Sequence, residues 1–163
     1  MKSILIAPVM SLALFTAGCL SSPLLHHADA DQGSNQVHNL ASSGCALSFP
    51  NAGLCASMQW TQTPSDDEGG QFILRFWSAT QGTENGPFID PGQAVGIKIW
   101  MPSMGHGSSP VRLAAGVDAS GAVIPGVFQG TEAYFMMHGE WEIWVQLKQG
   151  RQVLEQAKII YQY

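Results

Sequence analysis

From Cys45 onward the chain predicts an all-β domain, a two-sheet sandwich of about seven or eight strands. Three observations predict it. Apolar residues alternate with polar ones over short runs instead of recurring at helical spacing. Clusters of Gly, Pro, Asn, Asp and Ser interrupt those runs, as turns require. The stretch is also apolar enough to close one core of its own.

The first strand is expected at residues 56–60. Phe72, Leu74 and Phe76 then face one way, with Arg75 and Trp77 on the other. Val95, Ile97, Ile99 and Met101 alternate with Lys98 and Trp100. Both runs read as half-buried strands, because side chains two apart share a face. Val111, Leu113, Ala115 and Val117 alternate around Arg112, and Asp118-Ala119-Ser120-Gly121 turns the chain into residues 123–128, a hairpin. Residues 134–137 and 141–147, joined by His138-Gly139, read as the clearest hairpin. Its second strand sets Trp141, Ile143, Val145 and Leu147 against Glu142, Gln146 and Lys148. Lys148-Gln149-Gly150-Arg151 leads into a last strand at 152–161. Such a set suits an immunoglobulin-like sandwich; an open barrel is the alternative, since alternation does not encode which strands pair.

The N-terminus carries Lys2, an apolar stretch at residues 4–15 and the small residues Thr16, Ala17 and Gly18 before Cys19. Residues 1–18 read as a signal peptide: the stretch is shorter than the roughly 20 residues a spanning helix needs. The Thr-Ala-Gly-Cys ending resembles the lipobox of bacterial lipoproteins, with Thr16 where Leu is more common, and implies lipidation of Cys19. Acyl chains there would anchor the protein at about 0.8 kcal/mol per buried methylene. Leu20, rather than Asp, resembles lipoproteins sent to the outer membrane, so that membrane is favoured over the inner one in a two-membrane envelope. Residues 19–44 are polar, without apolar period, and read as a flexible tether in which His26, His27 and His38 read as solvated, with capture of a metal ion as the alternative. Cys45 and Cys55 remain as an even pair in an oxidising compartment and predict a disulfide; a soft metal site or two free thiols are the alternatives.

A net charge of −5 with scattered Lys and Arg argues against nucleic acid as a partner. Phosphate loops, Gly-x-Ser-x-Gly and His-Glu-x-x-His motifs are missing, so a non-enzyme is expected. Asp66-Asp67-Glu68 lacks the spacing of a calcium loop and reads as a solvated charge cluster. The informative segment is Trp100-Met101-Pro102-Ser103-Met104-Gly105-His106-Gly107. Thioether sulfur is soft and suits Cu(I), while imidazole serves either copper oxidation state. Pro102, Gly105 and Gly107 allow a tight turn that could bring Met104 and His106 together. A second soft cluster, Met136-Met137-His138-Gly139 with Trp141, makes Met137 and His138 further candidates if the two turns share an end of the sandwich; Trp100 or Trp141 could then cover the ion. The plainer reading is packing: Met101 continues an inward series, and Met commonly fills core gaps.

The run from Ile99 to Gly107, the Gly126-Val127-Phe128 step and Gly139-Glu140-Trp141-Glu142-Ile143 together resemble the YtkA-like domain family, over about residues 72–147. The Met-Pro-x-Met-Gly-His core is the most specific part of the resemblance. It departs at Met137-His138-Gly139, where the family often has Met-Pro-Gly. The resemblance implies an immunoglobulin-like envelope domain linked to copper handling, with a role for Met101, Met104 and His106. The implied partner is a copper-accepting protein or membrane complex. The competing expectation is a metal-free envelope module that docks to such a complex through an edge strand or loop.

Overall fold

The computed structural model describes residues 44–163; the segment expected to be a signal peptide, Cys19 and the segment expected to be a tether up to residue 43, with its histidines, lie outside them. Nine strands follow one another: β1 Leu47–Phe49, β2 Leu54–Gln62, β3 Gly70–Ser78, β4 Ala94–Met101, β5 His106–Gly107, β6 Arg112–Val117, β7 Val123–Ala133, β8 Glu140–Gln149 and β9 Gln152–Gln162. They form two antiparallel sheets packed as a sandwich, ordered β1-β2-β3-β7-β6 and β5-β4-β8-β9. The count exceeds the expected seven or eight by the short edge strands β1 and β5, too brief to show an alternation.

The alternation selects the faces as expected. Phe72, Leu74 and Phe76 of β3 and Trp141, Ile143, Val145 and Leu147 of β8 all point into one core. Each such side chain contributes about 1.5–3 kcal/mol by leaving water. Two expectations are corrected. Residues 134–137 are not a strand, and the hairpin at His138-Gly139 does not exist: β7 runs on to Ala133 within the five-stranded sheet, while β8 pairs with β4 and β9. Glu132, at φ 61°, sits in a register irregularity within β7; the chain leaves its sheet after Ala133, which still pairs with Gly70, and Phe135 then drops into the core as the chain crosses over. In β6 the alternation breaks as well. A register shift between Ala115 and Val117 leaves both exposed and turns Gly116 inward.

Cys45 and Cys55 form a disulfide with Cα atoms 5.2 Å apart, so neither sulfur is a thiolate ligand. Cys55 lies opposite Trp77 in the β2–β3 register, on the face of the sheet away from the main core. The three residues make a small buried cluster of their own, which explains why an outward Trp77 is not solvated.

The two sheets are also tied by a carboxylate. Glu155 of β9 accepts the backbone N–H groups of Asn51 and Ala52, each at 3.0 Å, in the β1–β2 turn. Hydrogen bonds to a charged acceptor are the stronger kind, and this side chain is half-buried. Glu155→Ala is expected to lower unfolding free energy by about 1–2 kcal/mol. A urea titration reading the tryptophan signal checks this; an unchanged midpoint would show that the turn holds without the carboxylate.

Candidate functional site

The chain leaves β4 at Met101 and returns at His106 through a tight turn. The Met101 carbonyl accepts both the Met104 N–H, at 3.3 Å, and the Gly105 N–H, at 2.9 Å, with Gly105 at φ 66°. This left-handed position is one that glycine occupies without steric cost. The turn folds Met101 and His106 into register across β4 and β5. Directly opposed residues project to the same side with Cβ atoms about 5 Å apart. A thioether and an imidazole therefore share the inner side, with Met104 in the turn between them.

Their burial differs. Met101 is 5% exposed and belongs to the core, whereas Met104 is 59% exposed at the tip of the turn. His106 lies between these extremes, its ring 5.8 Å from that of Trp141 in an edge-to-face arrangement. Its Nδ1 sits 3.2 Å from the Gly107 carbonyl. Donation by Nδ1–H there leaves the lone pair on Nε2, the nitrogen a metal would take.

The 134–139 crossover meets this turn at the same end of the sandwich. Ser108 donates its hydroxyl to the Tyr134 carbonyl, and Trp141 donates its indole N–H to the Met137 carbonyl at 2.9 Å. A Cβ on Gly139 would come within 2.7 Å of the Met101 methyl, so glycine there lets the thioether close against the crossover. Trp141 is thus the wedge: His106 rests on its ring and Met137 hangs from its nitrogen. Met136 and Met137 stand out from the crossover, 69% and 39% exposed. Comparison with family models, curated proteins and solved structures finds no match.

His138 takes another course. Its ring stacks on Tyr163 at 5.1 Å, beyond the end of β9, while Gly139 and Tyr163 exchange backbone hydrogen bonds of 2.8 and 3.0 Å. His106 thus rests on the Trp141 ring, Met101 pairs opposite His106, Met104 lies in the turn between them and the Met137 carbonyl is held by the indole, whereas the His138 ring stacks on Tyr163. Trp100 is set apart too. It faces out of the four-stranded sheet beneath Lys98, whose Nζ lies 4.5 Å from its ring, so of the two indoles only Trp141 borders the soft donors. Met136, which belongs to the second soft cluster of the sequence but is not among the expected ligands, is exposed on the same crossover as Met137. Among the described residues no group of three or more His, Cys, Asp or Glu is placed to hold a metal ion.

Tyr163 links this end to the acidic loop by donating its hydroxyl to Asp66 at 2.8 Å. That bond, with smaller contributions from burial and the Asp66 charge, pushes the phenol up to about 12 from its ordinary 10. The neutral phenol is therefore favoured by folding. Its contribution to stability is full below pH 10 and is lost as pH rises through about 12. Asp66→Asn is expected to lower the Tyr163 pKa toward 10, read as phenolate absorbance against pH with the other tyrosines substituted by phenylalanine. A Tyr163 titration unmoved by that change would remove the Asp66 account.

Proposed function

We propose that this domain is a non-catalytic copper-binding module of the bacterial envelope, held to a membrane by lipid on Cys19, that takes Cu(I) at the end of the sandwich. One observation carries the reading. Every exposed methionine among the described residues, Met104, Met136 and Met137, lies on the two loops that meet over Trp141, together with His106. Exposed thioethers contribute little to packing, and neutral soft donors beside an imidazole suit a monovalent soft ion. Met104, His106 and Met137 are the accessible donors, with Met101 beneath them and His138 outside the set.

The strand order supports an immunoglobulin-like assignment. Without the short β1 and β5, the sheets read β2-β3-β7-β6 and β4-β8-β9, the ABED and CFG order of the constant-type domain. The Met-Pro-Ser-Met-Gly-His run adds the likeness to YtkA-like domains, which points the same way. A second reading, a metal-free docking module, is favoured by the ring contacts of His106 on Trp141 and His138 on Tyr163, which give both imidazoles a packing role.

A competition titration decides between them. The full chain in detergent is given Cu(I) kept reduced by ascorbate, against a chromogenic chelator. Replacing Met104 and His106 together by leucine is expected to weaken binding at least about tenfold, or ~1.4 kcal/mol. Unchanged affinity in a folded double variant would end the copper reading and leave the docking module.

A further inference from the structure

The end that carries the soft donors presents more apolar surface than one ion would use. Tyr134, like Met104, Met136 and Met137, is an exposed large hydrophobic residue, and its backbone is fastened to the 101–107 turn through Ser108. Carboxylates border this patch. Asp67, Glu68 and Glu132 wall a groove that Tyr134 also lines, Asp66 is held by Tyr163, and Glu140 begins β8 directly after the crossover. Arg112 joins them only as the partner of Glu132, at 2.8 Å.

Positive charge is placed elsewhere. Lys98 and Lys158 lie over Trp100 and Trp144 on the outer face of the four-stranded sheet, and Lys148 crosses Gly96 on that same face. Lys98 and Lys158 both register with Trp144 on that face, and their amino groups reach along it to the Trp100 ring and, for Lys158, to the Glu142 carboxylate with which it pairs. Both thus lie on the outer face of the four-stranded sheet, whereas Asp66, Asp67, Glu68, Glu132 and Glu140 border the donor end and make that border acidic.

An apolar centre inside a charged rim is the anatomy of a protein contact surface, and unbranched methionine side chains repack readily against a partner. We propose that this end docks a protein whose own contact surface has an apolar centre ringed by Lys and Arg, and that the metal passes between the two while they are docked. The inference rests on the copper reading for what docking accomplishes. A second copy of this chain would bring like-charged rims together, and an anionic lipid surface would be repelled by the same carboxylates.

Two synthetic peptides test it on the metal-free full chain in detergent: one with a Met-Leu-Met centre flanked by lysines, and a twin flanked by glutamates. Methionine methyl resonances report where each binds. The lysine peptide is expected to move Met104, Met136 and Met137 but not Met58, with affinity at least about tenfold above its twin at low salt, the gap closing as salt rises. The combined change Asp67→Asn, Glu68→Gln and Glu140→Gln is expected to remove most of that gap. Equal binding of the twins, a gap that survives those substitutions, or self-association of the chain through the same methyl groups would each overturn the proposal. Loss of Cu(I) binding in the chelator titration discards the copper reading alone. Cu(I) binding without peptide discrimination discards the docking inference alone.

Discussion

Trp141→Ala is expected to lower the unfolding free energy by about 3–5 kcal/mol, the range for truncating a large buried aromatic residue. The side chain is fully buried, packs edge-to-face on Phe135 with ring centroids 5.4 Å apart, and holds the Met137 carbonyl through its indole nitrogen. Its removal opens a cavity between the sheets and leaves the crossover without its anchor. Trp141→Phe keeps a ring against Phe135 but loses the N–H and the volume of the second ring, for an expected cost of about 1–3 kcal/mol. Both values come from urea unfolding followed by circular dichroism. A loss below about 1 kcal/mol for the alanine variant would mean that the site end relaxes around the gap, contrary to the close packing of cores. In the copper titration Trp141→Phe is expected to weaken binding as well, because the Met137 carbonyl then loses its indole donor and the Met137 loop its anchor.

Replacing Cys45 and Cys55 together by alanine is expected to cost about 2–3 kcal/mol, the chain-entropy value for so short a closed loop. The bond joins the segment before β1 to β2 across a sequence separation of 10 and lies against Trp77. Without it the first strand loses its covalent hold, and Trp77 should gain solvent and shift its fluorescence to longer wavelength. An unchanged urea midpoint would show that β1 stays through its pairing with β2 and the Glu155 hydrogen bonds alone. Trp77 sits near the end of β3 opposite Gly70, where the acidic groove begins, so Cu(I) affinity is expected to survive this change in the folded protein.

Much of the fold was legible because half-buried strands write their faces into a two-residue period. The inward sets of β3, β4 and β8 follow directly from that period, and Met101 falls in the core as the end of the β4 series. The pairing was not legible there. Residues 134–137 carry strand-forming side chains and abut a Gly-containing turn, yet the chain leaves one sheet after Ala133 and Phe135 anchors a crossing to the other. Alternation is a local property, whereas a crossover is chosen by which sheet can bury the next apolar face.

The site divides in the same way. Soft donors at Met101, Met104, His106, Met137 and His138, and the turn-forming Gly105 between them, are properties of the sequence alone. The Cys45–Cys55 bond was an expectation of the sequence with a metal site or free thiols as alternatives, and the structure decides for the disulfide. Only the tertiary structure separates His138, stacked on Tyr163, from His106, resting on Trp141, and turns Trp100 away from the donors. It alone adds Met136 to the exposed rim and brings the carboxylates of residues 66–68 beside a loop more than sixty positions later in the chain. The physical reason is that residue type sets which chemistry a side chain can do, while convergence depends on non-local sheet packing that no short stretch encodes.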